Sequence, residues 1–152
     1  MREGQETKGK NRDFCKNRAT KGDKMPFKFE QLEIWKLSIQ YIDKIYTLAE
    51  RLPKQEEYNL KSQIIRAATS ISLNIAEGST GQSNPEQVKF LGYALRSLLE
   101  TVACVHLIRQ RAFPEIDSPD DIYRMSELLA AKLHSMRKSL QVNRKAANGS
   151  SS

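Results

Sequence analysis

The chain has few of the residues that bridge, bend or anchor a fold. Its 152 residues include two cysteines, five prolines and one tryptophan. The cysteines, Cys15 and Cys104, stand in unrelated contexts, which argues against a disulfide framework or a thiolate metal site. No apolar run approaches the roughly 20 residues that span a bilayer, and the polar N-terminus lacks the apolar segment of a signal peptide. We therefore expect a cytoplasmic protein without a membrane partner.

Catalytic constellations are missing as well. The only histidines are His106 and His134, and neither belongs to an HExxH motif or has a carboxylate or cysteine at ligand spacing. Helical-bundle ribonucleases, a rival class, carry an arginine four to six residues before a histidine, and no arginine stands there. The STGQSN segment lacks the lysine and the preceding strand of a phosphate-binding loop. We expect no catalytic residue, no cofactor, no metal and no enzymatic activity.

Positive charge is present in excess, but it lies at the ends of the chain. The net charge is +7. Residues 1–25 hold eight Lys and Arg against four acidic residues, and residues 137–152 hold four basic residues and no acidic one. Residues 26–136 hold 13 basic and 14 acidic residues, so the body of the protein is nearly neutral. The candidate nucleic-acid contacts are therefore Arg137, Lys138, Arg144 and Lys145.

Residues 1–26 and 142–152 are expected to be flexible tails. The first stretch is rich in Lys, Arg, Gly, Asn and Thr and poor in large apolar side chains, and the second ends in KAANGSSS. Met25 directly precedes the first patterned segment. We hypothesise that it is the natural start and that residues 1–24 come from an upstream start codon, which an intact mass of the native protein would test.

Between the tails, the apolar residues recur with the period of a helix. The pattern predicts four helices of about 22–25 residues, at 29–52, 55–77, 85–110 and 119–140, and no period-two alternation predicts a sheet. Short loops between long helices predict an all-α, up-down-up-down antiparallel four-helix bundle over residues 27–141. Asn84 and Ser118 are candidate N-caps, each followed by a proline suited to the first helical position.

The second predicted helix carries polar residues where a helix usually has better helix formers. Thr69, Ser70, Ser72 and Asn74 prefer caps and turns, because their short side chains compete for backbone hydrogen bonds. At 100° per residue, one polar stripe borders the buried stripe of Leu60, Ile64, Ala67, Ile71 and Ile75. The polar stripe consists of Arg66, Ser70, Asn74 and Glu77.

An antiparallel pairing about the loop 79–84 places Arg66 level with Ser97 and within one turn of Glu100. We therefore predict an Arg66–Glu100 or Arg66–Ser97 contact. Two roles remain open for this polar cluster of Arg66, Ser70, Asn74, Glu77, Ser97 and Glu100. It fixes helix packing and register, or it contacts a ligand or RNA.

Several of these residues form a pattern that resembles a known family. The matching residues are Phe29, Leu32, Trp35-Lys36, Leu52-Pro53, Glu57-Tyr58, Leu60, Gln63, Arg66-Ala67, Ser70-Ile71, Asn74 to Gly78, Phe90-Leu91, Ala94, Ser97-Leu98 and Glu100. Together they resemble the four-helix-bundle proteins encoded within intervening sequences of bacterial 23S ribosomal RNA genes. Arg96 departs from the pattern, since relatives have glycine before the serine.

The resemblance implies a cytoplasmic homo-oligomer, with five subunits expected, and no established molecular function. On that basis we expect a non-enzymatic, oligomeric scaffold that binds RNA or ribonucleoprotein. The alternative is a protein-binding adaptor, such as an accessory subunit of a diversity-generating reverse transcriptase, which a related branch of similar pentamers resembles. The expected partners are therefore a second copy of the chain, RNA, and, in the alternative, another protein.

Overall fold

A computed structural model describes residues 27–81 and 83–149, with only the backbone of residues 144, 145 and 147–149. The expected N-terminal tail and the Met25 hypothesis therefore lie outside the described residues. Four helices make up the described chain: α1 (Glu33–Glu50), α2 (Leu60–Gly78), α3 (Asn84–Arg111) and α4 (Asp120–Gly149). The predicted all-α four-helix bundle is confirmed, and the described residues include no strand.

Helices α1 and α4 run antiparallel to each other. Along α1 and α4, Glu33 pairs with Lys132 at 2.8 Å and Lys44 pairs with Asp121 at 2.7 Å, so the numbering rises on one helix as it falls on the other. Along α2 and α3, Ser70 bonds Ser97 and Gly78 packs against Phe90, so this pair is antiparallel as well. The four helices thus pack in sequence order, with α1 closing against α4.

The core consists of the predicted apolar stripes. On α2, all five predicted core residues are buried. On α1 and α4, the apolar residues at helical spacing are buried or half-buried, namely Ile34, Leu37, Tyr41, Ile45 and Leu48, and Ile122, Met125, Leu129, Leu133, Met136 and Leu140. The tightest positions are fully enclosed and include Tyr41, Ile64, Ile71, Leu98 and Leu129. Phe29 and Trp35 form an edge-to-face pair with centroids 4.9 Å apart, and Trp35 packs against the core, as expected of packing anchors for one end of the bundle.

Two predicted helix starts are displaced by short 3₁₀ turns. Residues Lys28–Gln31 and Lys54–Glu56 form such turns, so α1 and α2 begin four and five residues later than predicted. The N-cap of α3 is Ser83, whose hydroxyl accepts a hydrogen bond from the Glu86 amide at 3.4 Å, and the predicted cap Asn84 is the first helical residue. Helix α4 begins at Asp120, where the Pro119 carbonyl accepts from the Tyr123 amide at 3.0 Å.

The predicted equal lengths are wrong, because α1 and α2 have 18 and 19 residues whereas α3 and α4 have 28 and 30. The largest difference is at the end of α4. A flexible tail is predicted from residue 142, but the helix continues to Gly149. Residues 141–148 contain no glycine or proline, and their Gln, Arg, Lys and Ala residues are good helix formers, which accounts for the continuation.

Helix α3 is long and apolar enough to cross a bilayer by length and composition, with an 18-residue window of mean hydropathy 1.3. Within the bundle, 44% of that window is buried, and the helix packs against both α2 and α4. Its apolar residues are interleaved with polar ones, so no continuous apolar run appears in the sequence. The apolar composition of α3 suits a helix that packs against two neighbours.

Three buried hydroxyls form their hydrogen bonds within their own helices. Ser38 donates to the Trp35 carbonyl at 2.6 Å, Ser72 donates to the Thr69 carbonyl at 3.0 Å, and Thr101 donates to the Ser97 carbonyl at 2.9 Å. Such bonds to the preceding turn let a small polar residue lie in a helical core without an unpaired donor. The helix-interior serines and threonines are thus compatible with tight packing.

Candidate functional site

Three of the predicted polar residues form a connected cluster between α2 and α3. The Ser70 hydroxyl accepts hydrogen bonds from Ser97 Oγ and Asn74 Nδ2, both at 3.0 Å. Asn74 Nδ2 also lies 2.8 Å from the Ser70 carbonyl, one turn earlier on α2. All three side chains are half-buried, as expected for a stripe on the border of the core. This cluster joins the two helices by a direct side-chain bond.

The structure gives Ser97 a different partner from the one predicted. Ser97 bonds Ser70, which lies one turn from Arg66, and the described residues show no hydrogen bond or ion pair from Arg66 to Ser97 or Glu100. The prediction centred the helix pairing on the loop. In the structure, Gly78 at the end of α2 packs against Phe90, which is already well inside α3. Helix α3 therefore starts beyond the end of α2, and the contacts shift by one turn.

Arg66 and Glu100 nevertheless border the same depression. It has a volume of about 700 Å³ on the outer surface of α2 and α3, and both charged side chains are exposed, as is much of its apolar lining. Tyr58 is 97% exposed and Leu73 is 61% exposed. Glu77 is exposed and does not line the depression, so it separates from the predicted cluster. A depression with one cation, one anion and exposed apolar groups is suited to contact another protein surface.

The candidate nucleic-acid contacts all lie on α4. Arg137 is half-buried and Lys138 is exposed. Arg144 and Lys145 belong to the same continuous helix, and the structure describes their backbone only. The helical backbone therefore fixes the relative positions of four residues that were expected in part on a flexible tail.

A second recess, which the sequence did not predict, lies between α3 and α4. This α3–α4 groove has a volume of about 710 Å³, within the range of small-molecule sites. Its apolar lining includes Leu95, Leu98, Leu99, Val102 and Ala130. Lys89, Arg96, His134 and Arg137 bring basic side chains to one half of the groove, and Glu127 lies toward the other half.

A tyrosine holds two of these cations at the groove. Lys89 Nζ and Arg96 Cζ each lie 5.9 Å from the centroid of the Tyr93 ring, a distance at which a cation is attracted to an aromatic face. Across the groove, the Arg137 guanidinium lies against Gly92, where a Cβ would stand 3.5 Å from its terminal nitrogen. A Cβ at position 92 would therefore only touch the guanidinium at an ordinary van der Waals distance. The only sequence signals for this arrangement were Gly92 inside a helix and the apolar Leu99 beside the core stripe.

Few titratable groups have shifted pKa values. Burial raises the pKa of Tyr41 to about 12, against a smaller opposing effect of its hydrogen bond with Ser126. Burial, and then the nearby Glu100 carboxylate, raise the pKa of the Cys104 thiol, which therefore stays protonated near neutral pH. Among the described residues, no group of three His, Cys, Asp or Glu side chains could hold a metal ion.

A family model for the 23S rRNA-intervening sequence protein matches residues 30–143. The chain belongs to the 23S rRNA-intervening sequence protein family. The resemblance in the sequence is thereby confirmed. The matched segment contains the whole α2–α3 cluster and the α3–α4 groove, whereas Arg144 and Lys145 lie beyond its end.

A solved structure supports the same fold for this member of the 23S rRNA-intervening sequence family. It is a protein of unknown function from the S23 ribosomal protein family of Bacteroides thetaiotaomicron. The identity is 27% and the TM-score is 0.63, over 69% of this chain and 98% of that one. Comparison with curated proteins gives no match.

Proposed function

We propose that this protein is a non-enzymatic, self-associating helical bundle of the cytoplasm that binds RNA or ribonucleoprotein. The observation that carries the proposal is the continuation of α4 to Gly149. That continuation makes the expected flexible tail a helical extension of the bundle. The four basic positions 137, 138, 144 and 145 then become one surface.

Helical geometry places these positions on the same side of α4. Residues seven apart differ by about 20° around a helix and are separated by about 10 Å along it. Arg137 and Arg144 therefore share one line, and Lys138 and Lys145 share the adjacent line. No acidic residue occurs after Glu127, so nothing on this part of the chain offsets the charge. A row of cations at this spacing suits the phosphates of an RNA backbone.

Self-association would increase the affinity of such a surface. The α2–α3 depression offers Arg66 and Glu100 as unpaired charges of opposite sign among the described residues, beside exposed Tyr58 and Leu73. A second copy could place its own complementary surface there. In a ring of five subunits, five copies of the α4 surface would bind one RNA together, and the combined affinity would exceed that of each copy.

RNA binding is tested by fluorescence anisotropy with a labelled single-stranded fragment of 23S ribosomal RNA over a range of salt concentrations. Wild-type protein should bind, and its affinity should fall steeply as salt rises. The double variant Arg144→Gln/Lys145→Gln removes two phosphate contacts, which should reduce the slope of log K against log salt by about 1.4. The matched control Lys36→Gln/Lys54→Gln removes the same charge from exposed positions at the other end of the chain.

Equal losses in both double variants would show that net charge alone attracts the RNA and would contradict a binding surface on α4. Absence of RNA binding together with a co-purifying protein would favour the adaptor, for instance an accessory subunit of a reverse transcriptase.

Incubation of the protein with ribosomal RNA, followed by electrophoresis of the products, tests the absence of nuclease activity. A cleaved product that depends on His106 or His134 would overturn the non-enzymatic assignment.

A further inference from the structure

The α3–α4 groove combines an apolar floor with a cationic end. Its walls in the middle of the two helices are the apolar residues Leu98, Leu99, Val102 and Ala130, and Leu99 is 67% exposed. Arg96 and Arg137 lie toward the end where α3 begins. The groove therefore presents two different chemistries along its length.

Arg137 is incompletely satisfied in this arrangement. Its Nε atom is buried and has no hydrogen-bond partner among the described residues. A buried donor without an acceptor costs free energy, which a bound acceptor would recover. Glu127 lines the same groove, but it is ten residues from Arg137, or about 15 Å along α4. The groove thus supplies no carboxylate of its own at the guanidinium.

The cations point to the chemical class of the ligand. A guanidinium presents a planar fork of donors that matches a carboxylate or phosphate group. Lys89 and Arg96 both contact the Tyr93 ring. This contact holds the two cations at the rim of the groove, which Arg137 also lines. Because both cations lie over that ring, it is poorly placed to stack on a nucleic-acid base. The apolar floor also favours an aliphatic body over a charged RNA backbone.

We propose that the α3–α4 groove binds a small amphipathic anion. Its carboxylate or phosphate group is held by Arg137 and Arg96, and its aliphatic chain lies along Leu99, Val102 and Ala130. Pockets between the helices of a bundle commonly have this composition, with apolar walls and a few convergent polar groups. The site shares Arg137 with the proposed RNA surface but differs from it in its other residues and in its ligand. Arg144→Gln/Lys145→Gln tests only the RNA surface and Ala130→Phe tests only the groove, so each proposal can fail without the other.

Isothermal titration calorimetry with wild-type protein and decanoate tests the site, and decyl phosphate tests the choice of head group. Decanoate should bind at one site per chain with a negative heat-capacity change. Octanoate should bind about 16-fold more weakly, since each buried methylene contributes about fourfold. Decanol and decyltrimethylammonium, which keep the chain but lack the anion, should bind at least about tenfold more weakly than decanoate, as expected for loss of a charge-assisted hydrogen bond.

Arg137→Gln should weaken decanoate binding by about tenfold or more through loss of the charged fork. Arg124→Gln is the matched control, because it makes the same change at an exposed position of α4 outside the groove, and it should bind as wild type does. Ala130→Phe fills the floor and should block the decyl chain while leaving Arg137 in place. Amide chemical shifts in NMR spectra of wild-type protein should change along α3 and α4.

Equal affinities for decanoate and decyltrimethylammonium would overturn the proposal, as would unchanged binding by both Arg137→Gln and Ala130→Phe. Shift changes confined to α1 or α2 would place the ligand elsewhere and would also reject this site. If no anion binds and the same two variants alter the subunit number in native mass spectrometry, the groove is an interface between copies, and the ligand proposal is wrong.

Discussion

Gly78 lies so close to Phe90 that a Cβ added at Gly78 would stand 2.8 Å from the Phe90 Cβ. The glycine ends α2, and the phenylalanine lies in the second turn of α3. Separations of this size are not found between real Cβ atoms, so the two backbones approach as they do only because residue 78 is glycine. This contact, together with the Ser70–Ser97 bond, fixes how far α3 is displaced along α2.

Gly78→Ala should destabilise the protein by about 1–3 kcal/mol, the usual cost of overpacking a tight contact. The Phe90 Cβ is close to the backbone and cannot swing away, so the helices themselves must separate. Urea unfolding followed by circular dichroism measures the change. Gly92→Ala is the control, because its Cβ would meet only the flexible end of Arg137, at 3.5 Å. It should be neutral or stabilise the helix by about 0.5–1 kcal/mol.

The Tyr41 hydroxyl gives a prediction for alkaline pH. Tyr41 is 0% exposed, and its hydroxyl shares a 2.9 Å hydrogen bond with Ser126 Oγ. The pKa of this tyrosine is raised from 10.0 to about 12 in the folded protein. The unfolded chain therefore loses the phenol proton first, and the free energy of unfolding should fall between about pH 10 and 12, by up to about 1.4 kcal/mol per pH unit from this group.

Tyr41→Phe should remove that component of the alkaline loss and cost about 1 kcal/mol at neutral pH for the missing hydrogen bond. The difference between the two stability–pH curves isolates Tyr41, because the lysines and the other tyrosines are common to both proteins. Parallel curves from pH 9 to 12 would show that Tyr41 ionises normally in the folded state.

The Ser70–Ser97 bond gives a third prediction, for coupling between two helices. Ser70→Ala and Ser97→Ala should each cost about 1 kcal/mol, as expected for a half-buried hydrogen bond. The double variant should cost less than the two single changes together by at least about 0.5 kcal/mol, since the residues share one bond. Chemical denaturation of all four proteins measures this coupling. Strict additivity would mean that the bond contributes nothing to the register.

The bundle itself could be predicted from the sequence, because the apolar period decides both helix formation and the buried face. The helical period of 100° per residue predicted Ser70 and Asn74 on the border of the core, and both are half-buried there. The height of one helix relative to another could not be predicted in the same way. It depends on the contact of Gly78 with Phe90, which involves no periodic pattern, and a pairing centred on the loop was therefore one turn in error.

The end of α4 and the α3–α4 groove were missed for two other reasons. Residues 142–149 combine two basic residues with amide and small side chains and contain no large aromatic or branched residue except Val142. A composition of that kind is shared by exposed helices and flexible tails. The groove depends on the distance between two helices at particular residues, such as Gly92 and Arg137. Within one helix, Leu99 beside the core stripe is only a single apolar residue, and single exposed apolar residues are common.

A fourth prediction concerns self-association through the α2–α3 depression. Arg66→Glu should weaken or abolish the oligomer. A glutamate side chain at position 66 repels Glu100 and any acidic side chain that a partner subunit brings to the depression. The unfolding free energy of the isolated subunit should change by less than about 0.5 kcal/mol, since the residue is exposed and forms no ion pair among the described residues. Analytical ultracentrifugation measures the subunit number.

Glu100→Arg added to Arg66→Glu restores opposite charges and should recover the oligomer at least in part. Lys61→Glu, at a half-buried position of α2 outside the depression, is the charge-matched control. It removes the Lys61–Glu57 ion pair and should leave the subunit number unchanged. An oligomer that tolerates Arg66→Glu, or a double variant that is worse than either single change, would place the interface on another face.

The last prediction separates a cationic helix from a cationic tail. Val142→Pro leaves every charge in place but removes a backbone donor and blocks the helix after Arg137 and Lys138. If the four basic positions act as one helical surface, RNA affinity should fall by about tenfold, or roughly 1.4 kcal/mol, as Arg144 and Lys145 lose their alignment. Val142→Ala keeps the helix and should bind as wild type does, because Val142 is 55% exposed. Anisotropy at fixed salt measures both affinities, and circular dichroism confirms the loss of helix. A proline variant with wild-type affinity would show that the charges act without a fixed arrangement, as a flexible tail would.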